Sequence, residues 1–268
     1  VNDAPVLSSI GDRETSEDEP LNILLAAFDV EGDQLSFSVS DGDQIVATLS
    51  GNELTLTPAQ DFYGSESFTI SVSDGEYTDS QSITVTVEAI NDAPVATQGL
   101  SATTNEDQSV VLTLSGTDVD SDVLSYSLVS DAINGSVVIE GSFASYTPNQ
   151  DFNGSDSFIF SISDGYLSDE ASVTLTVDAI NDAPVLVAIA DVSFDEDMSS
   201  SISLSASDVD NDTLTYSIVG GTNILATLID SEVTFSAAAD YNGNEGFIVS
   251  VSDGEYIDSQ SITVTVEA

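Results

Sequence analysis

Residues 67–95 read SFTISVSDGEYTDSQSITVTVEAINDAPV, and the first part of this stretch alternates apolar and polar side chains. Phe68, Ile70 and Val72 fall on one phase, and Thr69, Ser71 and Ser73 on the other. After Asp74-Gly75 the alternation returns, with Ile83, Val85 and Val87 set against Ser82, Thr84, Thr86 and Glu88. A period of two marks a strand with one buried face, and Asp-Gly between two such runs marks a hairpin. The stretch therefore predicts two antiparallel strands that run into a linker stiffened by Pro94.

Outward from this stretch, the same landmarks recur. Asn91-Asp92-Ala93-Pro94-Val95 also stands at Asn2-Asp3-Ala4-Pro5-Val6 and at Asn181-Asp182-Ala183-Pro184-Val185, a period of 89 and then 90 residues. Glu17-Asp18 returns as Glu106-Asp107 and Glu196-Asp197. Asp29-Val30-Glu31-Gly32-Asp33 returns as Asp118-Val119-Asp120-Ser121-Asp122 and Asp208-Val209-Asp210-Asn211-Asp212. Asp61, Asp151 and Asp240 correspond, as do Asp74, Asp164 and Asp253. A fixed period signals an array of equivalent units. The three units are expected at 1–90, 91–180 and 181–268. Because the first copy opens on the linker motif and the last stops just before it, further repeats are expected on both sides.

Leu35, Phe37 and Val39 alternate like the first strands, as do Leu54 and Leu56. Leu124, Tyr126, Leu128 and Leu214, Tyr216, Ile218 repeat the pattern in the later copies. About seven short strands per copy, separated by Gly-, Asn- and Pro-containing turns and with no helical periodicity, predict an all-β chain of three tandem Greek-key β-sandwiches of immunoglobulin-like type. Phe68, Phe158 and Phe247 lie on the apolar phase and are expected in the cores.

The composition limits the partners. The chain has 268 residues and 48 Asp plus Glu against the single basic Arg13, with no His and a formal net charge of -47. Nucleic acids and anionic membranes both require clustered Lys or Arg, so neither is an expected partner, and cations are the natural counterpart. Cys is absent, so no disulfide supports the fold. Paired carboxylates can in principle hydrolyse glycosides. Here, however, each copy carries the same acids and no unique pocket motif stands out, so no enzymatic activity is expected.

The recurrent acids concentrate at sheet ends and in the linker. A linker Asn-Asp held by Ala-Pro offers side-chain and carbonyl oxygens at a fixed point, and an Asp-x-Asp at a strand end presents two carboxylates on one side of the pleat. Calcium takes six to eight such oxygens. The Asp-x-Asp segments are not EF-hand loops, since Ser40, Val129 and Val219 stand where the twelfth-position Glu is required. Asp74-Gly75 also reads as a simple hairpin turn, and Glu17-Asp18 also reads as a charged strand edge.

A Glu-Asp early in each copy, an Asp-x-Asp at mid-repeat, an Asp-Gly before the last strand and a terminal Asn-Asp-Ala-Pro together resemble cadherin repeats, in particular the bacterial cadherin-like tandem repeats of large RTX-type surface adhesins. The resemblance covers the chain three times over and implies an elongated array with calcium between successive domains. It implies that the first junction uses Glu17, Asp61, Glu88, Asn91, Asp92, Asp118, Asp120 and Asp164, and that the second uses Glu106, Asp151, Asp178, Asn181, Asp182, Asp208, Asp210 and Asp253. At the first end Asn2, Asp3, Asp29, Glu31 and Asp74 would form half a junction. The chain departs from the pattern two residues after Asp61, Asp151 and Asp240, where Tyr63, Asn153 and Asn242 replace an acid.

These expectations describe a secreted, bacterial, cell-surface segment. It would be a monomeric spacer stiffened by calcium ions and by its neighbouring repeats, serving adhesion or biofilm formation. The alternative is a module that binds glycans or another copy of itself.

Overall fold

The computed structural model describes Val1–Ala268, and every regular element in it is a strand. In the first repeat these are β1 (Val6–Leu7), β2 (Arg13–Ser16), β3 (Leu21–Leu24), β4 (Ala27–Phe28), β5 (Ser36–Val39), β6 (Ile45–Ser50), β7 (Glu53–Pro58), β8 (Gly64–Ser73) and β9 (Thr78–Glu88). The predicted hairpin is present, with β8 and β9 paired antiparallel from Gly64↔Val87 to Ser73↔Thr78.

The nine segments form seven strands. β1 and β2 are halves of one strand that changes sheets, since β1 pairs antiparallel with β4 and β2 pairs parallel with β9. β3 and β4 are halves of the next strand, interrupted at Leu25, whose amide bonds to the Asn52 carbonyl at 2.8 Å. One sheet runs β3-β7-β6 and the other β2-β9-β8-β5. All three copies show this set of two-, three- and four-stranded sheets, which confirms the predicted sandwich class.

By its internal contacts the chain divides into two compact units. The first comprises Val1–Gln98, Leu114–Ser127 and Phe160–Ala171, and the second Gly99–Thr113, Leu128–Ile159 and Ser172–Ala268. In the first unit the inward phase of the opening stretch is buried as read: Phe68, Ile70, Val72, Ile83, Val85 and Val87 join Leu54, Leu56, Ile45 and Leu7 in one core. In the second unit, Phe235, Phe247, Val249, Val251, Ile262, Val264 and Val266 make the equivalent core of the third repeat. Phe235 and Phe247 meet edge to face at 5.2 Å, a favoured geometry for aromatic pairs. Leu35, Phe37 and Val39 are only partly buried. The reason is that β5 is an edge strand, paired on one side only.

Many recurrent acids hold the backbone of the sandwich itself, a role that strand periodicity does not reveal. Asp79 on β9 accepts the Leu7 amide at 2.8 Å, and Asp169 and Asp258 do the same for Ala96 and Leu186. A second recurrent acid closes the turn before β6 or its equivalent. Glu66 accepts from Gln44 and Ile45, Asp156 from Ile133 and Asn134, and Glu245 from Thr222, Asn223 and Ile224. Where the acid is the shorter Asp156, the buried ring at the Leu56 and Phe235 position is Tyr146, whose hydroxyl donates to Asp156 at 3.1 Å. Burial first, and then Asp156, pushes the Tyr146 hydroxyl up to about 12.

The amides of Asn223, Thr222 and Ile224 hold the Glu245 carboxyl down at about 2, from an ordinary value of 4.5. Because the folded value is depressed, the stability Glu245 contributes is present above pH 4.5 and is lost as pH falls through about 2. The difference in urea midpoint between the parent chain and Glu245→Gln should therefore shrink across that acid interval. A difference that stays constant with pH would show that the three amides do not favour the ionised form.

Candidate metal centre

The linker motif is placed by its proline. Pro5, Pro94 and Pro184 are all buried, and the residue that follows each one opens a strand. The preceding Asn and Asp are thereby held against the end of the repeat. Asn91 Nδ2 donates to Asp164 Oδ2 at 2.8 Å, Asn181 Nδ2 to Asp253 Oδ2 at 2.9 Å, and Asn2 Nδ2 to Asp74 Oδ2 at 3.0 Å. The Asp92 amide donates to Asp120 Oδ2 at 2.8 Å, and the Asp182 amide to Asp210 Oδ2 at 2.7 Å.

Asp164 and Asp253 form the Asp-Gly turn, as that reading expects, and each also anchors a linker Asn. Asp164 Oδ1 accepts the Tyr166 and Leu167 amides, while Oδ2 faces Asn91. The Asn91 bond, followed by the two amides, holds the Asp164 carboxyl below its usual range.

The early Glu meets the linker from the other side. Glu17 is buried, its amide bonds to the Glu88 carbonyl at 3.0 Å, and its Oε1 accepts the Ile90 amide. Glu106 repeats this with the Asp178 carbonyl and the Ile180 amide. Glu17 is therefore more than a charged strand edge. Glu88 and Asp178, by contrast, contribute backbone carbonyls and leave their side chains exposed.

Two groups of carboxylates result, each inside one compact unit. Oxygens of Glu17, Asp92 and Asp120 lie within 4.8 Å of one another, as do those of Asp107, Asp151 and Asp182. Asp61 and Asp118 line the same cleft as Asp92. Burial, then the charges of Asp61, Asp120, Glu17 and Asp18, raise the Asp92 carboxyl. Burial, then Asp151, Asp210, Glu106 and Asp107, raise Asp182 in the same way.

The Asp-x-Asp pairs sit on the loop just beyond a short strand, not on the pleat that the sequence suggested. That loop folds back on Asp118 and Asp208, whose Oδ1 atoms accept the Asp122 and Asp212 amides at 3.2 Å. Asp208, Asp210 and Asp212 form a third close group within 4.8 Å.

Asp18, Asp107 and Asp212 were not among the expected ligands. Their signal was the recurrence of the Asp itself. At 18, 107 and 197 it occupies a left-handed backbone position, with φ of 58°, 58° and 64°, where Asp is tolerated. From there Asp18 and Asp107 Oδ1 accept the amides of Asp61 and Asp151 at 3.2 Å.

Six buried carboxylate oxygens have no hydrogen-bond donor: Asp29 Oδ2, Asp92 Oδ2, Glu106 Oε2, Asp118 Oδ2, Asp182 Oδ2 and Asp208 Oδ2. A buried carboxylate oxygen without a donor is costly unless a cation faces it. The donor set is all hard oxygen, with no imidazole or thiolate in the chain. Such a set fits calcium and does not suit softer transition metals. Arg13 does not supply the charge, because its Nη1 bonds to the Gly11 and Asp12 carbonyls.

The comparisons agree with this architecture. The family model for the bacterial Ig domain matches residues 2–86, 91–176 and 181–266. Among curated proteins, none matches the chain. Of solved structures, extracellular cadherin domains 1–4 of protocadherin gamma B7 align over 100% of this chain and 77% of that one, with TM-score 0.59 and 17% identity. Drosophila N-cadherin EC1-4 aligns over 100% and 76%, with TM-score 0.50 and 15% identity. These likenesses are of fold. The chain also spans 44% of the length of an endo-fucoidan hydrolase from glycoside hydrolase family 107, at TM-score 0.33 and 19% identity. No helix is long and apolar enough to cross a membrane. With each of its three repeats matched nearly end to end, the chain belongs to the bacterial Ig domain family.

Proposed function

We propose that the chain is a calcium-rigidified extender segment of a large bacterial cell-surface adhesin of the RTX type, a non-catalytic spacer that projects a distal ligand-binding region for adhesion or biofilm formation. One observation carries this reading: each linker aspartate stands among acids of the repeats on either side. Asp92 has Glu17 and Asp61 from the first repeat and Asp118 and Asp120 from the second. Asp182 has Glu106, Asp107, Asp151 and Asp210 in the same relation.

The roles of the residues follow from this geometry. Glu17 and Asp61 hold the first ion from the preceding repeat, Asp92 from the linker, and Asp118 and Asp120 from the following repeat. Glu106, Asp107, Asp151, Asp182, Asp208 and Asp210 do so at the second junction. Asn91 with Asp164, and Asn181 with Asp253, position the linkers. Calcium, when bound, supplies the positive charge that these oxygens otherwise lack. Before it binds, the crowded carboxylates repel and the linkers hinge; afterwards they attract a shared charge and the hinge stiffens. Sites of the weak, extracellular class fill at millimolar calcium and release it in the cytosol, which suits a protein that is exported flexible and stiffens outside the cell.

Small-angle scattering with calcium and with chelator tests the reading. The maximum dimension should rise with calcium, and Asp92→Ala should remove the part of the rise that belongs to the first junction while leaving the second. Identical profiles in both buffers would sink the proposal. Glycan capture or calcium-dependent self-association by the chain would instead favour an adhesive module.

A further inference from the structure

The chain contains three Asn-Gly pairs, Asn134-Gly135, Asn153-Gly154 and Asn242-Gly243. In such a pair the glycine nitrogen, once deprotonated, can attack the asparagine Cγ. A carbon–nitrogen bond forms, the side-chain amide leaves as ammonia, and a five-membered succinimide results. Water then opens the ring at either carbonyl, giving aspartate or isoaspartate. The reaction requires an accessible side chain and open space around the glycine. Each of the three glycines is the first residue of a strand, so the pairs are separated by exposure and crowding alone.

Asn134 is held at both ends. Its amide donates to Asp156 at 2.8 Å, and its carbonyl accepts from the Asn149 amide at 2.8 Å. The space beside Gly135 is filled by the Tyr146 ring. Asn242 is exposed, but Gly243 is overlaid by Tyr241, whose hydroxyl would lie 2.9 Å from a Cβ at that glycine. At the third pair both Asn153 and Gly154 are exposed, and a Cβ at Gly154 would meet only the Phe152 ring edge at 3.8 Å. Gly154 has φ of 126°, a conformation open to glycine and rarely to other residues.

We infer that Asn153-Gly154 is a site of spontaneous deamidation in the folded protein, selected over the other two Asn-Gly pairs by the local structure. The product places a carboxylate two residues from Asp151, which clusters with Asp107 and Asp182. Its isoaspartyl form also lengthens the backbone by one methylene beside that ligand. The first repeat has Tyr63 at this position and cannot follow, so the two acidic groups diverge with the age of the protein. The consequence for cation binding rests on the metal-centre reading, whereas the chemical step does not.

The folded chain is incubated in warm, mildly alkaline buffer, digested with chymotrypsin and followed by mass. Peptide 153–158 should gain one mass unit and split into aspartyl and isoaspartyl forms several-fold faster than the peptide containing Asn134, with peptide 242–247 between them. Asn153→Gln should abolish the change while leaving the far-ultraviolet dichroism intact. Equal rates at all three pairs, or residue 153 unchanged after the others have converted, would overturn the assignment. Separately, Asn153→Asp should alter calcium affinity by a few-fold at one junction only. Unaltered affinity would sever the link to the acidic cluster and leave the deamidation standing.

Discussion

Calorimetry of the chain in calcium at about a hundred times the dissociation constant should show melting raised by about 10–20 °C over the same chain in chelator. The size follows from linkage: a ligand that binds only the folded junction at that excess adds about 2.7 kcal/mol per site. For a repeat of this length each kcal/mol moves the midpoint by roughly 4–8 °C. Asp92→Ala should cancel the shift for the first repeat, because it removes the oxygen around which Glu17, Asp61 and Asp120 gather. In chelator the same variant should melt at or above the parent temperature, since the charges that raise the Asp92 carboxyl lose the group they oppose. This reversal of sign separates a cation site from an ordinary structural aspartate, whose loss destabilises in either buffer. Glu88→Gln is the control, because its side chain is exposed and only its carbonyl supports Glu17. A loss of the calcium shift in Glu88→Gln equal to that in Asp92→Ala would refute the assignment of ligands.

The contrast between Asp92 and Glu88 also shows where the sequence stops being legible. Strand alternation and the 89- and 90-residue spacing reveal the sandwiches, because burial of one face imposes a period of two and tandem copying imposes a long one. The same signals locate the acids near the linkers. They cannot say which carboxylate turns inward. Glu88 and Asp178 lie on the outward phase at the ends of their strands, whereas Glu17 and Glu106 enter the core end under the following linker.

Asp107 was hidden for a different reason. Its recurrence is visible in the sequence, but the left-handed turn alone accounts for it, and only the fold brings its side chain to Asp151 and Asp182. Asp79, Asp169 and Asp258 show another role that periodicity does not reveal. Their partners lie more than 70 residues away, on the strand that changes sheets, and only the folded topology brings them together. Part of the acidity thus serves as backbone anchoring within each sandwich.

Phe68→Ala should cost the first repeat about 3–5 kcal/mol, the usual penalty for emptying a buried aromatic position. Phe68 is fully buried in the core of the first repeat among Ile45, Leu54, Leu56 and Ile83. A single domain has about 5–15 kcal/mol in total, so the variant leaves this repeat near its limit. The third repeat has a core of its own, built on Phe235, Phe247 and Val249, and shares none of the affected contacts. Hydrogen exchange followed by mass should therefore show faster exchange in peptides from 1–90, with unchanged protection in peptides from 181–268. If both ends lost protection together, the chain would unfold as one cooperative body and the repeats would not be separate stability units. Calcium sharpens the test. Where the first junction binds only with its preceding repeat folded, Phe68→Ala must also weaken calcium binding there, although no ligand has been touched. The weakening should equal the loss of folded first repeat, a coupling that arises only if Glu17 and Asp61 are part of the binding site.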